Sequence, residues 1–175
     1  MMAAVEIAPW EELHQLEFEI YQLVPPIDPP TCHWLNSDAG PSFCRKHAWE
    51  ARWKELPSFG PCPEEPDWFR RSEMEELMAD GIDGGPGMGC TSDHPEHCAT
   101  CGRTLEYLLT ETGRGEELVH FADNPITEDT VIDGEQTYAI GRIFMNLTHP
   151  GADPEEVGAA LKIARDAMAA IKSKN

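Results

Sequence analysis

The sequence predicts a single, mainly α-helical domain with one small β-hairpin, which is an α+β fold. Three observations support this prediction. Several segments repeat apolar residues at spacings of three and four, a Cys-x-x-Cys-Gly turn precedes two short apolar stretches, and 175 residues is the length of one ordinary domain. Apolar residues make up 41% of the chain, which is enough for a buried core and argues against wholesale disorder.

The N-terminal region, residues 1–31, is predicted to be an acidic helix followed by a proline-rich arm. Pro9 suits a first helical position, and the two glutamates after it suit a first helical turn, so a helix is expected over 9–24. Apolar and acidic residues alternate over 16–20, with Leu16, Phe18 and Ile20 as the apolar positions. This alternation favours a strand instead of a helix. Prolines make residues 25–31 an extended segment.

The middle of the chain is predicted to contain two helices, a loop and the hairpin. Helices are expected over 41–56 and 66–79, and the glycine-rich, acidic stretch 80–97 is expected to be a loop. Residues 105–110 and 117–121 are expected to pair as a hairpin, because glycines flank Arg114 between them.

The C-terminal region, residues 122–175, is predicted to be helical. One helix is expected over 134–147, where apolar residues recur at three and four. A second begins at Pro154, with Asp153 as its cap, and runs to about Ile171.

Six cysteines indicate a metal site in residues 32–121. The N-terminus lacks the layout of a signal peptide, so we expect a cytoplasmic protein with reduced thiols, in which clustered cysteines more often bind metal than form disulfides. Cys98 and Cys101, followed by Gly102, match a zinc knuckle, and Cys44 and His47 form a second pair at ligand spacing. The sequence therefore predicts one or two structural Zn²⁺ ions.

The two pairs can be assembled in two ways. They close one Cys44/His47/Cys98/Cys101 site, or each pair forms its own site, which is the assembly we favour. The first of two sites would use Cys32, Cys44 and His47 with Cys62, or with His33 in its place. The second would use Cys98 and Cys101 with two further ligands from Cys90, His94, His97 and His120. The preferred ligands are thus Cys32, Cys44, His47, Cys62, Cys90, His97, Cys98 and Cys101.

Two other interpretations of the cysteines are open. Cys62 and Cys90 suit a buried core as well as a metal site, because a lone cysteine behaves as a small apolar residue. A thioredoxin-type redox motif is the alternative for Cys98 and Cys101, but no βαβ pattern surrounds them.

The charge of the chain bears on its partners. Asp and Glu number 32 against 13 Lys and Arg, a formal charge of −19, which nearly excludes a broad phosphate-binding surface. An acidic surface attracts basic partners, although acidity can also serve solubility alone. No apolar run is long enough to cross a bilayer. We therefore expect a protein partner with a basic surface, no membrane association, and no general binding of nucleic acid.

Two further function classes have local support. Bases and aromatics interleave over residues 45–54, so a zinc-anchored helix there could contact nucleic acid. A small zinc hydrolase would use Asp93 or Glu96 as its base. A deaminase is disfavoured, because His94, Glu96 and the cysteine pair lie too close together to belong to two separate helices.

Residues 92–113 carry a recurring pattern. It comprises Ser92-Asp93, His97-Cys98-x-x-Cys101-Gly102, Leu105-Glu106, Leu109-Thr110 and Gly113. This pattern resembles an element of uncharacterised bacterial and phage proteins, with departures at Cys90 and His94. The resemblance implies that His97, Cys98 and Cys101 belong together and that the chain has a phage or mobile-element origin. The expected function is that of a non-enzymatic, zinc-stabilised acidic protein that binds a partner in host nucleic-acid or defence machinery.

Overall fold

The computed structural model describes residues 7–34, 40–54, 87–88 and 91–174. These residues are mainly helical, with a few short strands, in agreement with the predicted α+β class. The predicted helix over 66–79 lies outside them. None of the helices in this part of the chain combines the length and the apolar character needed to cross a membrane.

The chain divides into two compact units. The helical unit lies within Met1–Asp28, Ser92–His94 and Leu108–Asn175, and the cysteine unit lies within Pro29–Thr91 and Pro95–Tyr107. The two units alternate along the sequence, since residues 92–94 belong to the helical unit and residues 95–107 to the cysteine unit. The single-domain organisation stays a prediction.

The helical unit is built around three of its helices. They are α1 (Pro9–Leu23), α4 (Gly134–Phe144) and α5 (Pro154–Ser173), while α3 (Glu111–Asp123) lies between β5 (Leu108–Leu109) and α4 in the sequence. The buried side chains of the three come from one face of each helix and include Leu13, Ile20, Ile140, Ile143, Phe144, Leu161, Ala164 and Met168. The helical interpretation of α1 is confirmed over the strand interpretation, because Leu13 and Ile20 are buried whereas Phe18 is 60% exposed.

Helix α5 begins as the sequence predicts. The Asp153 carboxylate accepts hydrogen bonds from the backbone N–H groups of Glu155 and Glu156 at 2.9 and 3.0 Å, and Pro154 occupies the first turn. Two ion pairs tie this helix to its neighbours. Arg114 Nε lies 2.9 Å from Glu156 Oε2, and Arg165 makes a bidentate contact with Glu12.

The predicted hairpin is wrong over residues 105–121. Residues 108–109 form β5, which pairs with β4 (Thr91–Ser92) in a two-stranded sheet, while residues 111–123 are the helix α3. The Thr110 hydroxyl caps this helix by accepting from the Gly113 N–H at 3.0 Å, and the Thr110 N–H donates to the Ser92 carbonyl at 3.0 Å. Gly113 therefore serves close packing rather than a hairpin turn, since a Cβ there would lie 2.5 Å from the Ser92 oxygen.

The cysteine unit contains a three-stranded antiparallel sheet and one described helix. Its strands are β1 (Cys32–Trp34), β2 (Ser42–Cys44) and β3 (Gly87–Met88), in the order β2-β1-β3, and α2 (Arg45–Lys54) follows β2 directly. In the register of β1 and β2, Cys32 is opposite Cys44. The helix predicted over 41–56 thus begins at Arg45, because residues 42–44 pair with β1 instead.

Candidate metal site

Four side chains of the cysteine unit converge on one point. They are Cys44, His47, Cys98 and Cys101, and one potential ligand atom from each lies within 4.8 Å of all the others. The two members of each pair are close in sequence, but the pairs are separated by 50 residues. This group could hold a metal ion.

The first pair is positioned by the junction of β2 and α2. Cys44 is the last residue of the strand, and His47 lies in the first turn of the helix, so both side chains can reach the same side of the junction. The Nδ1 atom of His47 lies 3.2 Å from the Cys44 Sγ and 3.4 Å from the Cys98 Sγ. His47 is therefore the side chain that links the two pairs.

The second pair is held by a tight turn. The Cys98 N–H donates to the Arg103 carbonyl at 2.9 Å, and the Gly102 N–H donates to the Cys98 carbonyl at 2.8 Å. Gly102 has a φ of 70°, a left-handed conformation that glycine adopts without strain. The Ala99 N–H donates to the Ser42 carbonyl at 2.9 Å, which fixes the turn against β2 and brings the pairs together.

The surroundings of the sulfur atoms favour thiolate at one position. Burial opposes ionisation of Cys98, but hydrogen bonds from the backbone of Cys44, Thr100 and Cys101 outweigh it and lower the pKa to about 6. At Cys44 burial prevails over a backbone hydrogen bond from His47, and the neighbouring Cys98 adds to it, so the pKa rises to about 11. A cation at the centre of the group would favour thiolate at both.

Burial of the group is uneven. Cys98 is 2% exposed and Cys44 is also buried, whereas His47 is half-buried and Cys101 is exposed. The described cysteines are present as thiols rather than as disulfides. Three sulfur ligands and one imidazole nitrogen supply the four donors of a tetrahedral metal site, so the residues fit a metal ion with respect to number and type.

Glu50 extends the group beyond the four candidate ligands, and the sequence analysis did not identify it. Its Oε2 lies 3.8 Å from the Nε2 of His47, and its Oε1 lies 3.8 Å from the Nζ of Lys46. A carboxylate that accepts a hydrogen bond from the outer nitrogen of a metal-binding histidine orients the ring, and at 3.8 Å Glu50 makes an electrostatic contact with that nitrogen rather than a hydrogen bond. The signal available in the sequence was the i, i+3 spacing of His47 and Glu50 on a helix.

The structure places the other predicted ligands elsewhere. Cys32 is fully buried in a small core with Phe43, Cys44, Ala48, Cys98 and Leu105, and it is not a member of the four-residue group. His97 is exposed, and its backbone forms an isolated bridge with Thr104. Cys62 and Cys90 lie outside the described residues.

His94 and His120, the alternative ligands of the second predicted site, also lie outside the group. His94 is exposed, with its Nδ1 atom 3.4 Å from Glu116 Oε2, and His120 is an exposed residue of α3 that contacts the Phe121 ring edge-on. The backbone of His33, in β1, pairs with that of Phe43 in β2. Asp93, a candidate hydrolytic base, instead accepts a hydrogen bond from the Thr110 hydroxyl.

The prediction that each pair forms its own metal site is therefore wrong for these two pairs. The structure joins Cys44 and His47 to Cys98 and Cys101 in one group, which was the alternative assembly. The reason is the hydrogen bond between Ala99 and Ser42, a contact across many residues that local spacing does not reveal.

Comparisons of the chain with protein-family models, with curated proteins and with solved structures gave no match.

Proposed function

We propose that the cysteine unit is a structural zinc module and that the protein is a non-enzymatic binding protein whose acidic surface engages a protein partner with a basic surface. The observation that carries this proposal is the convergence of Cys44, His47, Cys98 and Cys101 on one point. The zinc module gives the unit its stability, and the charge of the chain selects the partner.

Zinc is the metal that this donor set suits best. Thiolate and imidazole ligands favour Zn²⁺ over the harder cations Mg²⁺ and Ca²⁺, and Cys₃His is a ligand set of structural zinc sites. A hydrolytic zinc site keeps one position open for water, whereas four protein ligands fill a tetrahedral ion. The geometry thus favours the structural role over the small zinc hydrolase.

The size of the core supports a stabilising role for the ion. Among the described residues of the cysteine unit, six form the buried apolar cluster, and two of them, Cys44 and Cys98, are themselves candidate ligands. Its described strands are two or three residues long. In small metal-binding folds ligand assembly and folding are the same event, so an ion held by two members of this cluster would stabilise the described part of the unit.

The charge distribution supports a basic partner. The helical unit contains 19 acidic and 6 basic residues, a formal charge of −13, and the cysteine unit contains 13 and 7, which leaves −6. In the helical unit Arg114, Lys162 and Arg165 are already paired with acidic side chains. The surface therefore offers negative potential that attracts cationic partners and weakens as salt rises.

The biological setting follows from the resemblance of residues 92–113. A phage or mobile-element protein with this charge would act on host nucleic-acid or defence machinery by occupying a basic surface there. The compartment consistent with reduced thiols is the cytoplasm.

Contact with nucleic acid through residues 45–54 is the second candidate. Arg45 and Lys46 are both exposed in the first turn of α2, beside the metal site. However, Lys46 lies 3.8 Å from Glu50, and the net charge opposes a phosphate backbone.

The first experiment is elemental analysis of the full chain purified without added zinc. One zinc per chain, removed by a chelator with loss of near-ultraviolet signal, is the expected result. No bound metal, or an ion that leaves without any change in structure, would overturn the structural role. A gel-shift assay with labelled DNA and RNA tests the second candidate, which requires retardation that an Arg45→Ala, Lys46→Ala double variant abolishes.

A further inference from the structure

A groove in the helical unit lies between α3 and α5 and holds about 160 Å³. Its walls are formed by apolar side chains on both helices and on the segment after α3: Leu118, Phe121, Ala122, Ile126, Ala159 and Ile163. A cavity of about 150 Å³ with a lining of this kind accommodates a benzene ring. The groove therefore has room for one aromatic or large aliphatic side chain.

The charged residues at the groove neutralise each other. Lys162 Nζ donates to Asp166 Oδ2 at 2.7 Å, and these two are the charged members of its lining. The basic residue of the groove is thus already paired, so an incoming cationic group meets no unpaired positive charge from the lining.

The sequence that contains α3 and the segment after it is strongly acidic. Residues 111–135, which include α3 and the start of α4, contain eight acidic residues and one basic residue, Arg114, and Lys174 Nζ donates to the Asp129 carbonyl of this stretch at 2.9 Å. Arg114 is bound to Glu156. Asp123, next to the lining residue Ala122, is exposed. A ligand with positive charges beside an apolar group matches this combination of surfaces.

An exposed apolar side chain adjoins the groove. Val119 is 62% exposed and lies three residues before Ala122, on the same face of α3. Val119 thus adds apolar surface to the face of α3 that carries Ala122. A second copy of this chain is disfavoured as the occupant, because each copy carries a charge of −19.

We propose that the groove between α3 and α5 is the docking site for a basic segment of a protein partner, which inserts one large apolar side chain between the two helices. This inference rests on the proposed function, because it names the surface through which the acidic protein binds its partner. The apolar anchor supplies affinity, and the flanking lysines or arginines supply specificity for the acidic surroundings.

The probe is a short fluorescent peptide with one tryptophan among lysine, arginine and glutamine. Two matched peptides serve as controls: in one the tryptophan is alanine, and in the other all basic residues are glutamine. Fluorescence anisotropy during titration with the zinc-loaded full chain measures binding. We expect binding of the first peptide, and we expect either replacement to raise the dissociation constant about tenfold, the loss typical of an interface anchor.

The groove itself is tested by a filling variant. Ala159 is exposed and lines the groove, so Ala159→Leu fills it without disturbing the core. Ala169→Leu is the matched control, because Ala169 is exposed on the same helix and is not part of the lining. We expect Ala159→Leu to weaken the basic tryptophan peptide about tenfold and Ala169→Leu to leave its binding unchanged.

The outcomes separate this inference from the proposed function. Equal binding to the Ala159→Leu and Ala169→Leu variants, or equal binding of the tryptophan and alanine peptides, would overturn the groove as the docking site but leave an acidic binding protein intact. If the peptide bound equally well without its basic residues, the proposed attraction between a basic partner and the acidic residues near the groove would be wrong. The zinc content of the chain is measured independently of peptide binding. A chain without zinc would therefore contradict the structural metal site without bearing on the groove.

Discussion

His47 and Cys98 are 51 positions apart in the sequence, yet the Nδ1 atom of His47 lies 3.4 Å from the Sγ atom of Cys98. A histidine of a helix and a cysteine of a tight turn thus join two local pairs into a group with four donors. An ion at this point would cross-link the helix, the strand before it and the turn.

Cysteine substitutions should distinguish ligands from core residues. Cys98 and Cys32 are both buried, but only Cys98 belongs to the four-residue group. We expect Cys98→Ser to abolish stoichiometric zinc binding, whereas Cys32→Ala retains the ion and loses only part of its packing. Elemental analysis of the two purified variants makes the comparison. Equal zinc content in both would show that the ligands have been misassigned.

Replacement of Glu50 should weaken the metal site without removing a ligand. Its carboxylate lies 3.8 Å from the outer nitrogen of His47; loss of a hydrogen-bonded partner there typically costs about 10- to 100-fold in metal affinity, and for this longer contact we expect a loss at the lower end of that range. Competition between Glu50→Gln and a chromogenic chelator for Zn²⁺ measures the change. Glu106→Gln, an exposed acidic position in the same unit, is the control. If the two variants compete equally well, Glu50 does not position His47.

Two glycines of α3 should respond in opposite directions to alanine. A Cβ at Gly113 would lie 2.5 Å from the Ser92 carbonyl oxygen and 2.7 Å from the Asp93 Cα, so the backbone would have to move. We expect Gly113→Ala to lower the free energy of unfolding by about 1–3 kcal/mol, the usual cost of overpacking.

Gly115 is the matched control for this substitution. It lies in the same helix, and a Cβ added to it would meet no other described part of the chain within 4 Å. Gly115→Ala should therefore raise the free energy of unfolding by about 0.5–1 kcal/mol, because alanine favours helix. Urea unfolding of both variants checks the signs, and a stabilising effect of Gly113→Ala would contradict the close approach of α3 to residues 92–93.

Glu17 should make stability depend on pH. Burial raises the pKa of its carboxyl above the usual value, although the hydrogen bond from Tyr21 and the nearby His14 partly oppose the shift. The folded chain then holds this proton more tightly than the unfolded chain. Its contribution to stability is full below the unfolded pKa and is lost as pH rises through the folded pKa.

Glu17→Gln tests this dependence, because the amide stays neutral and can still accept from the Tyr21 hydroxyl, which lies 3.1 Å from Oε1. We expect the variant to be more stable than the wild type at pH 7, with a difference that shrinks as the pH falls toward the carboxyl range. Urea unfolding across this range measures it. If the difference in the free energy of unfolding between the two proteins grew on acidification, the pKa of Glu17 would not be raised in the folded chain.

Local patterns predicted the local features of this chain. Helices α1, α4 and α5 follow from apolar periodicity and caps such as Asp153, and both ligand pairs follow from their spacing. The hairpin prediction failed because Gly113 suggested a turn, while it actually permits close approach to Ser92. The union of the two pairs depends on a hydrogen bond between Ala99 and Ser42, and no local pattern contains a contact of that range.

The spacing of the two ligand pairs has a consequence for chain entropy. An ion held by Cys44 and Cys101 closes a covalent loop that includes the 50 residues between His47 and Cys98. By analogy with a disulfide, closing a loop of this length removes about 4 kcal/mol of conformational entropy from the unfolded chain. Since that entropy changes only slowly with loop length, residues added or removed between α2 and β3 would change this contribution little. The metal site would therefore tolerate changes of chain length between α2 and β3, provided that both elements are kept.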